Sequence, residues 1–72
     1  MEQTPTTATK AGQTFRSMRE GAGLKVRTLA TRAEVSHSTI SRWERGEREV
    51  SDSTYEHLSR TLADYLAGKW TA

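Results

Sequence analysis

From Ala11 onward, apolar positions recur with the helical period of about 3.6 residues. Ala11, Phe15, Met18 and Ala22 form one narrow stripe, with Arg19 at its edge. This spacing predicts a first helix that Gly21 and Gly23 end, because glycine enters the left-handed conformation of a helix exit without steric cost. Val26, Leu29, Ala30 and Ala33 share one face of a short second helix. Residues 33–36 read as a turn, with Ser36 placed to cap a third helix that Gly46 closes. Residues 47–50 read as a charged loop, and Ser51 or Asp52 caps the fourth helix. Tyr55, Leu58, Leu62, Tyr65 and Leu66 line that helix, which runs without a break over about 52–67 until Gly68 stops it. No strand-like alternation or internal repeat is present. The expected class is all-α, a compact domain of four to five helices over residues 11–68. A flexible N-terminal tail, 1–10, and a short C-terminal tail, 69–72, flank it.

Composition narrows this picture. Seventy-two residues leave room for one domain with a marginal core. Leu, Ile, Val and Phe together number only ten, but the net charge of +2 is too small to keep the chain unfolded. A thin helical core, completed by a partner, is the compromise. The absence of cysteine excludes disulfide scaffolds, thiolate zinc sites and thiol catalysis. His37 and His57 are the only imidazoles and stand far apart in sequence, so no metal or other cofactor is expected. No apolar run approaches the ~20 residues that cross a bilayer, and the N-terminus lacks a signal-peptide layout. These features lead to the expectation of a cytoplasmic, nucleoid-associated protein with no membrane or small-molecule partner.

Enzyme chemistry finds no footing. Ser36, His37, Ser38, Asp52 and His57 hold the atoms of a hydrolase, but no nucleophile elbow or oxyanion loop surrounds them. The run Gly21-Ala22-Gly23 follows a helix rather than a strand, so it is not a phosphate-binding loop. The charge distribution is more telling. Residues 1–24, 25–48 and 49–72 carry net charges of +1, +3 and −2. Positive charge concentrated in the middle of the chain suits a polyanionic partner.

The third helix carries the chemistry. Ile40 and Trp43 share an inward arc, whereas His37, Ser38, Ser41, Arg42 and Arg45 occupy the outward one. Such a face can address the major groove, where base edges offer distinguishable donors and acceptors and arginine can engage guanine with two bonds. By periodicity alone the plainer alternative, an amphipathic helix with a wet outer side, is favoured. Context shifts the balance. Residues 26–43 have the spacing of a helix-turn-helix. Ala30 is small where the two helices approach, Val35 plugs the corner, and Ile40 and Trp43 anchor the second helix.

With these residues the chain resembles the Cro/C1-type (XRE) helix-turn-helix family of phage repressors and bacterial regulators. The run FRSMREGAGL at 15–24 looks like that family's first helix and exit, and SHSTISRWERG at 36–46 like its recognition helix. The resemblance covers about residues 11–66. It implies a lambda-repressor-like fold and a Cro-like repressor that binds a pseudo-palindromic double-stranded DNA operator as a homodimer. Base contacts would come from His37, Ser38 and Arg42, and phosphate contacts from Lys25, Arg27, Ser36, Arg45 and Arg48. The family's ion pair between helix one and helix three falls on Arg19 and Glu44. Each of these also lies beside its helix's apolar stripe, where partial desolvation favours a bidentate pair.

Tyr65, Leu66 and Trp70 extend past what one small core covers and are the candidate dimer contact. Three positions depart from the family pattern. Lys25 and Val26 replace the common Thr or Ser cap and the following Gln, and Glu34 stands where Gly is common, at a turn position that strains any other residue if φ is positive. An antitoxin-type autoregulator and a protein-binding helical adaptor are the alternative functions.

Overall fold

The computed structural model describes residues 7–70, and its four helices are α1 (Thr7–Gly21), α2 (Val26–Ala33), α3 (His37–Glu44) and α4 (Asp52–Leu66). Among the described residues there is no strand. Helix α1 begins four residues before its apolar stripe, so 7–10, expected within the tail, belong to the helix. The sequence after Pro5 contains no helix breaker before Gly12, and extending a formed helix adds one hydrogen bond per residue fixed. The first six residues of the expected tail lie outside the described residues.

The helices meet around Trp43. Its ring is fully buried, 5.1 Å from Phe15 of α1 and 5.9 Å from Tyr55 of α4 between ring centroids. Leu24, Leu29, Ala30, Ala33, Ile40, Leu58 and Leu62 complete the core. Helix α1 lies on α3, while α2 packs against both α3 and α4. Gly12 makes the first of these approaches feasible, since a Cβ there would run into the Trp43 carbonyl. Two expected inward positions differ. Met18 is 47% exposed and Tyr55 42% exposed, whereas Arg19 is buried. The buried face of α1 is thus centred on Gly12, Phe15 and Arg19, turned towards α3 rather than along the stripe through Met18.

All four helices end in the same way. A residue in the left-handed region follows each one: Gly23, Glu34, Gly46 and Gly68. In each case the next amide donates back across the last turn: Leu24 to Arg19, Val35 to Ala30, Glu47 to Arg42, and Lys69 to Asp64. This is the Schellman arrangement, which satisfies carbonyls the helix itself cannot. The starts differ more. Ser51 caps α4 by accepting from the Thr54 amide at 3.1 Å. Lys25 and Ser36 occupy the cap positions of α2 and α3 without a side-chain bond to the helix.

Of the expected C-terminal tail, 69–72, residues 69 and 70 are described and pack on the fold, whereas 71–72 lie outside the described residues. Trp70 folds back so that its indole N–H donates to the Thr61 carbonyl at 3.0 Å. Its ring meets Tyr65 edge-on at 4.8 Å, and the Arg32 guanidinium sits 5.1 Å from its centre. A large aromatic with a polar handle gains more from such a fold-back than from exposure to water.

Candidate nucleic-acid interface

Helices α2 and α3 are joined by only three residues, 34–36, and the corner is made by Glu34 at φ 59°, ψ 41°. A left-handed residue at this point reverses the chain tightly enough to set α3 against α2. Glutamate bears the steric cost that glycine would avoid. Val35, half-buried, packs on the core from inside the corner. Ala30 is buried beside it, and Ile40 and Trp43 are wholly buried on the inner side of α3. The opposite side is therefore held outward.

That outer side brings together most of the expected contact residues. His37, Ser38 and Arg42 are all exposed on α3. Arg27, Thr31, Glu34, Ser36 and His37 line an open groove of about 450 Å³ where α2 ends and α3 begins. Lys25 and Ser36 stand exposed at the N-terminal ends of α2 and α3, where backbone N–H groups and the helix dipole favour an anion. Arg45 sits at the other end of α3, beside a second groove of about 190 Å³ shared with Arg16, Val26 and Ser41. Arg48 is exposed in the following loop.

Two ion pairs frame this surface. Arg19 presents Nε and Nη2 to the two carboxylate oxygens of Glu44, both at 2.8 Å, and its Nη1 donates to the Leu24 carbonyl at 2.7 Å. The hydrogen bonds to Glu44 raise the Arg19 pKa against the opposing effect of burial. Among the described residues no buried side-chain nitrogen or oxygen lacks a hydrogen-bond partner. The pair fastens α1 and the α1–α2 loop to the end of α3, so it fixes the angle at which α3 is presented. The second pair is exposed: Arg45 donates from Nε to Glu47 Oε2 at 3.0 Å and from Nη2 to Oε1 at 3.2 Å. These bonds hold the Glu47 carboxyl below its ordinary value and raise Arg45, and Arg42 adds a weaker field on Glu47.

Some residues that shape the surface escape the sequence pattern. Gly12 contacts a partner thirty-one positions away, and nothing in its local context marks it. His57 lies on α4, and its Nε2–H donates to the Ala33 carbonyl at 2.7 Å, closing the C-terminal end of α2. Glu47 could have been noticed from the alternation of charge at Arg45, Glu47 and Arg48. Of the three residues expected at a dimer contact, Tyr65 and Trp70 pack against each other, whereas Leu66 stays 58% exposed.

A helical corner with a polar helix held outward defines a class of domain, and comparison with known proteins agrees. A family model described as a helix-turn-helix domain matches residues 10–69. The chain belongs to this XRE-type helix-turn-helix family, whose members act in DNA-binding transcription regulation. The crystal structure of the clp gene regulator ClgR from C. glutamicum superposes with a TM-score of 0.72 at 31% identity, covering 97% of this chain and 100% of that one. Comparison with curated proteins finds no match. Among the described residues no helix is long and apolar enough to cross a membrane.

Proposed function

We propose that this protein is a sequence-specific repressor, similar to Cro, that binds a pseudo-palindromic DNA operator as a homodimer. One observation carries the reading. The exposed side of α3 bears His37, Ser38 and Arg42, while its inner side is fixed by fully buried Ile40 and Trp43 and by the Arg19–Glu44 fork. Base readout needs side chains on a rigid element, because discrimination depends on bonds meeting base edges at defined angles. Arg42, in the middle of the face, reads guanine; His37 and Ser38, nearer the corner, reach adjacent bases. Lys25, Arg27, Ser36, Arg45 and Arg48 surround them and hold phosphates, which position the helix without reading sequence. Two copies joined around Leu66, next to the Tyr65–Trp70 pair, would present two such helices about one DNA turn apart. A dimer seated over a promoter excludes polymerase. The resemblance to a clp gene regulator supports a role in gene control.

Selection of bound duplexes from a random pool tests this directly. The enriched sequences are expected to contain an inverted repeat with half-sites about ten base pairs apart. On that duplex Arg42→Ala should lose roughly 1–3 kcal/mol and relax preference at one base pair, while Lys25→Ala should weaken all duplexes and flatten the salt dependence by roughly one unit. A pool that returns no enriched sequence would overturn the proposal.

A further inference from the structure

The exposed fork between Arg45 and Glu47 lies on the edge of the surface just described. Arg45 is the capping residue just after α3, and Glu47 follows two positions later, where the Schellman turn brings its backbone amide to within 2.8 Å of the Arg42 carbonyl. The turn aims the carboxylate back at the helix it has just left. Both oxygens are used, one on Nε and one on Nη2 of Arg45, which is how a phosphate would be gripped by the same guanidinium. Both side chains are about half exposed, so the fork is open to exchange with an ion from solution.

Across the adjoining groove Arg16 also has a carboxylate partner, donating a single bond from Nε to Glu20 Oε2 at 3.0 Å. The arginines on two sides of this groove therefore each carry a carboxylate from their own neighbourhood. A positively charged DNA-binding surface has no need of such partners, and each one lowers the attraction that draws any duplex, cognate or not.

We propose that Glu47 is a specificity-determining residue: it occupies Arg45 as an internal stand-in for phosphate and so suppresses binding to non-cognate DNA. This rests on the DNA-binding function proposed above. On random duplex, docking has no fixed register, and Glu47 keeps Arg45 neutralised. Binding there is almost wholly electrostatic, so one withheld charge is felt in full. On the operator, base contacts by α3 fix one phosphate beside Arg45. That phosphate then displaces Glu47, and the carboxylate turns out to water at little cost because the pair is exposed. Glu47 thus penalises the wrong sequence more than the right one.

The experiment measures wild type, Glu47→Gln, Arg45→Ala and the double variant by fluorescence anisotropy. Two duplexes are used, one enriched from a random pool and one scrambled to the same composition, each over a series of salt concentrations. Glu47→Gln is expected to tighten binding to the scrambled duplex about eightfold at ~0.1 M salt and to steepen its log-affinity against log-salt slope by about 0.9, the effect of one added phosphate neutralisation. On the enriched duplex the gain should stay below about threefold, so discrimination falls. In the Arg45→Ala background the same change should have under a twofold effect, because the partner through which it acts is gone.

An unchanged or weaker affinity of Glu47→Gln for the scrambled duplex overturns the proposal, as does an equal gain with and without Arg45. Wild type that discriminates between duplexes while Glu47→Gln is silent removes only the role of Glu47. Wild type that binds no duplex removes the DNA-binding function as well.

Discussion

Glu44 and Arg45 are neighbours in sequence, yet each belongs to a different arginine–glutamate fork. In one, Arg19 donates to both oxygens of Glu44 at 2.8 Å; in the other, Arg45 donates to both oxygens of Glu47 at 3.0 and 3.2 Å. The chemistry is the same and the geometry nearly so. Exposure separates them, with side chains 9% and 4% accessible in the first and 49% and 53% in the second. Where water cannot reach, losing either partner strands a charge in a poorly polarisable interior. Where it can, water or another anion replaces the lost partner and little changes. Two forks one residue apart therefore differ in kind: one fastens α3 to α1, and the other is open to exchange with ions from solution.

The two forks should part most widely when Arg19 is removed. Arg19→Ala should destabilise the fold by roughly 3–5 kcal/mol, since it leaves Glu44 buried and uncompensated. In a domain of this size that lowers Tm by well over ten degrees, which thermal and urea denaturation would register. Replacing both partners with apolar residues, Arg19→Met with Glu44→Leu, should recover most of the loss. An Arg19→Ala protein as stable as wild type would show that the buried fork holds nothing.

Gly12→Ala is the next test. Its methyl would press on the Trp43 carbonyl and push α3 from α1, loosening the buried fork without touching the exposed one. Overpacking of this kind costs roughly 1–3 kcal/mol, again visible in denaturation midpoints. The smallest effect belongs to Arg45→Ala. Its Tm should be indistinguishable from wild type while its DNA affinity falls, and a clear drop in Tm would erase the distinction between the forks.

Much of this arrangement was legible in the sequence, for definite reasons. Helical periodicity located all four elements, because amphipathic spacing and left-handed exits are local properties. The outward face of α3 followed from Ile40 and Trp43 alone. The pairing of Arg19 with Glu44 came from the resemblance to the family, and their places beside apolar stripes, where a single charge is costly, agreed with it. What periodicity leaves open is the exact rotation of a helix within its arc. Met18 and Arg19 are adjacent candidates for burial on α1, and the partner on α3 decides between them. Close approach is equally silent: Gly12 shows its role only once Trp43 lies against it. The charge alternation at Arg45, Glu47 and Arg48 could draw notice to Glu47, but its pairing with Arg45 depends on a turn that swings the carboxylate back, a matter of three-dimensional path.

Helix α2 has only eight residues, too few to persist in water unaided. Its far end is tied to α4 through His57, and its outer flank is covered by Trp70 through Arg32, with Trp70 itself bonded to Thr61. Peeling Trp70 away would therefore uncover part of α2 as well. The fold-back after α4 thus belongs to what holds α2 in place, and through α2 it bears on the corner that sets α3, well away from Trp70 itself.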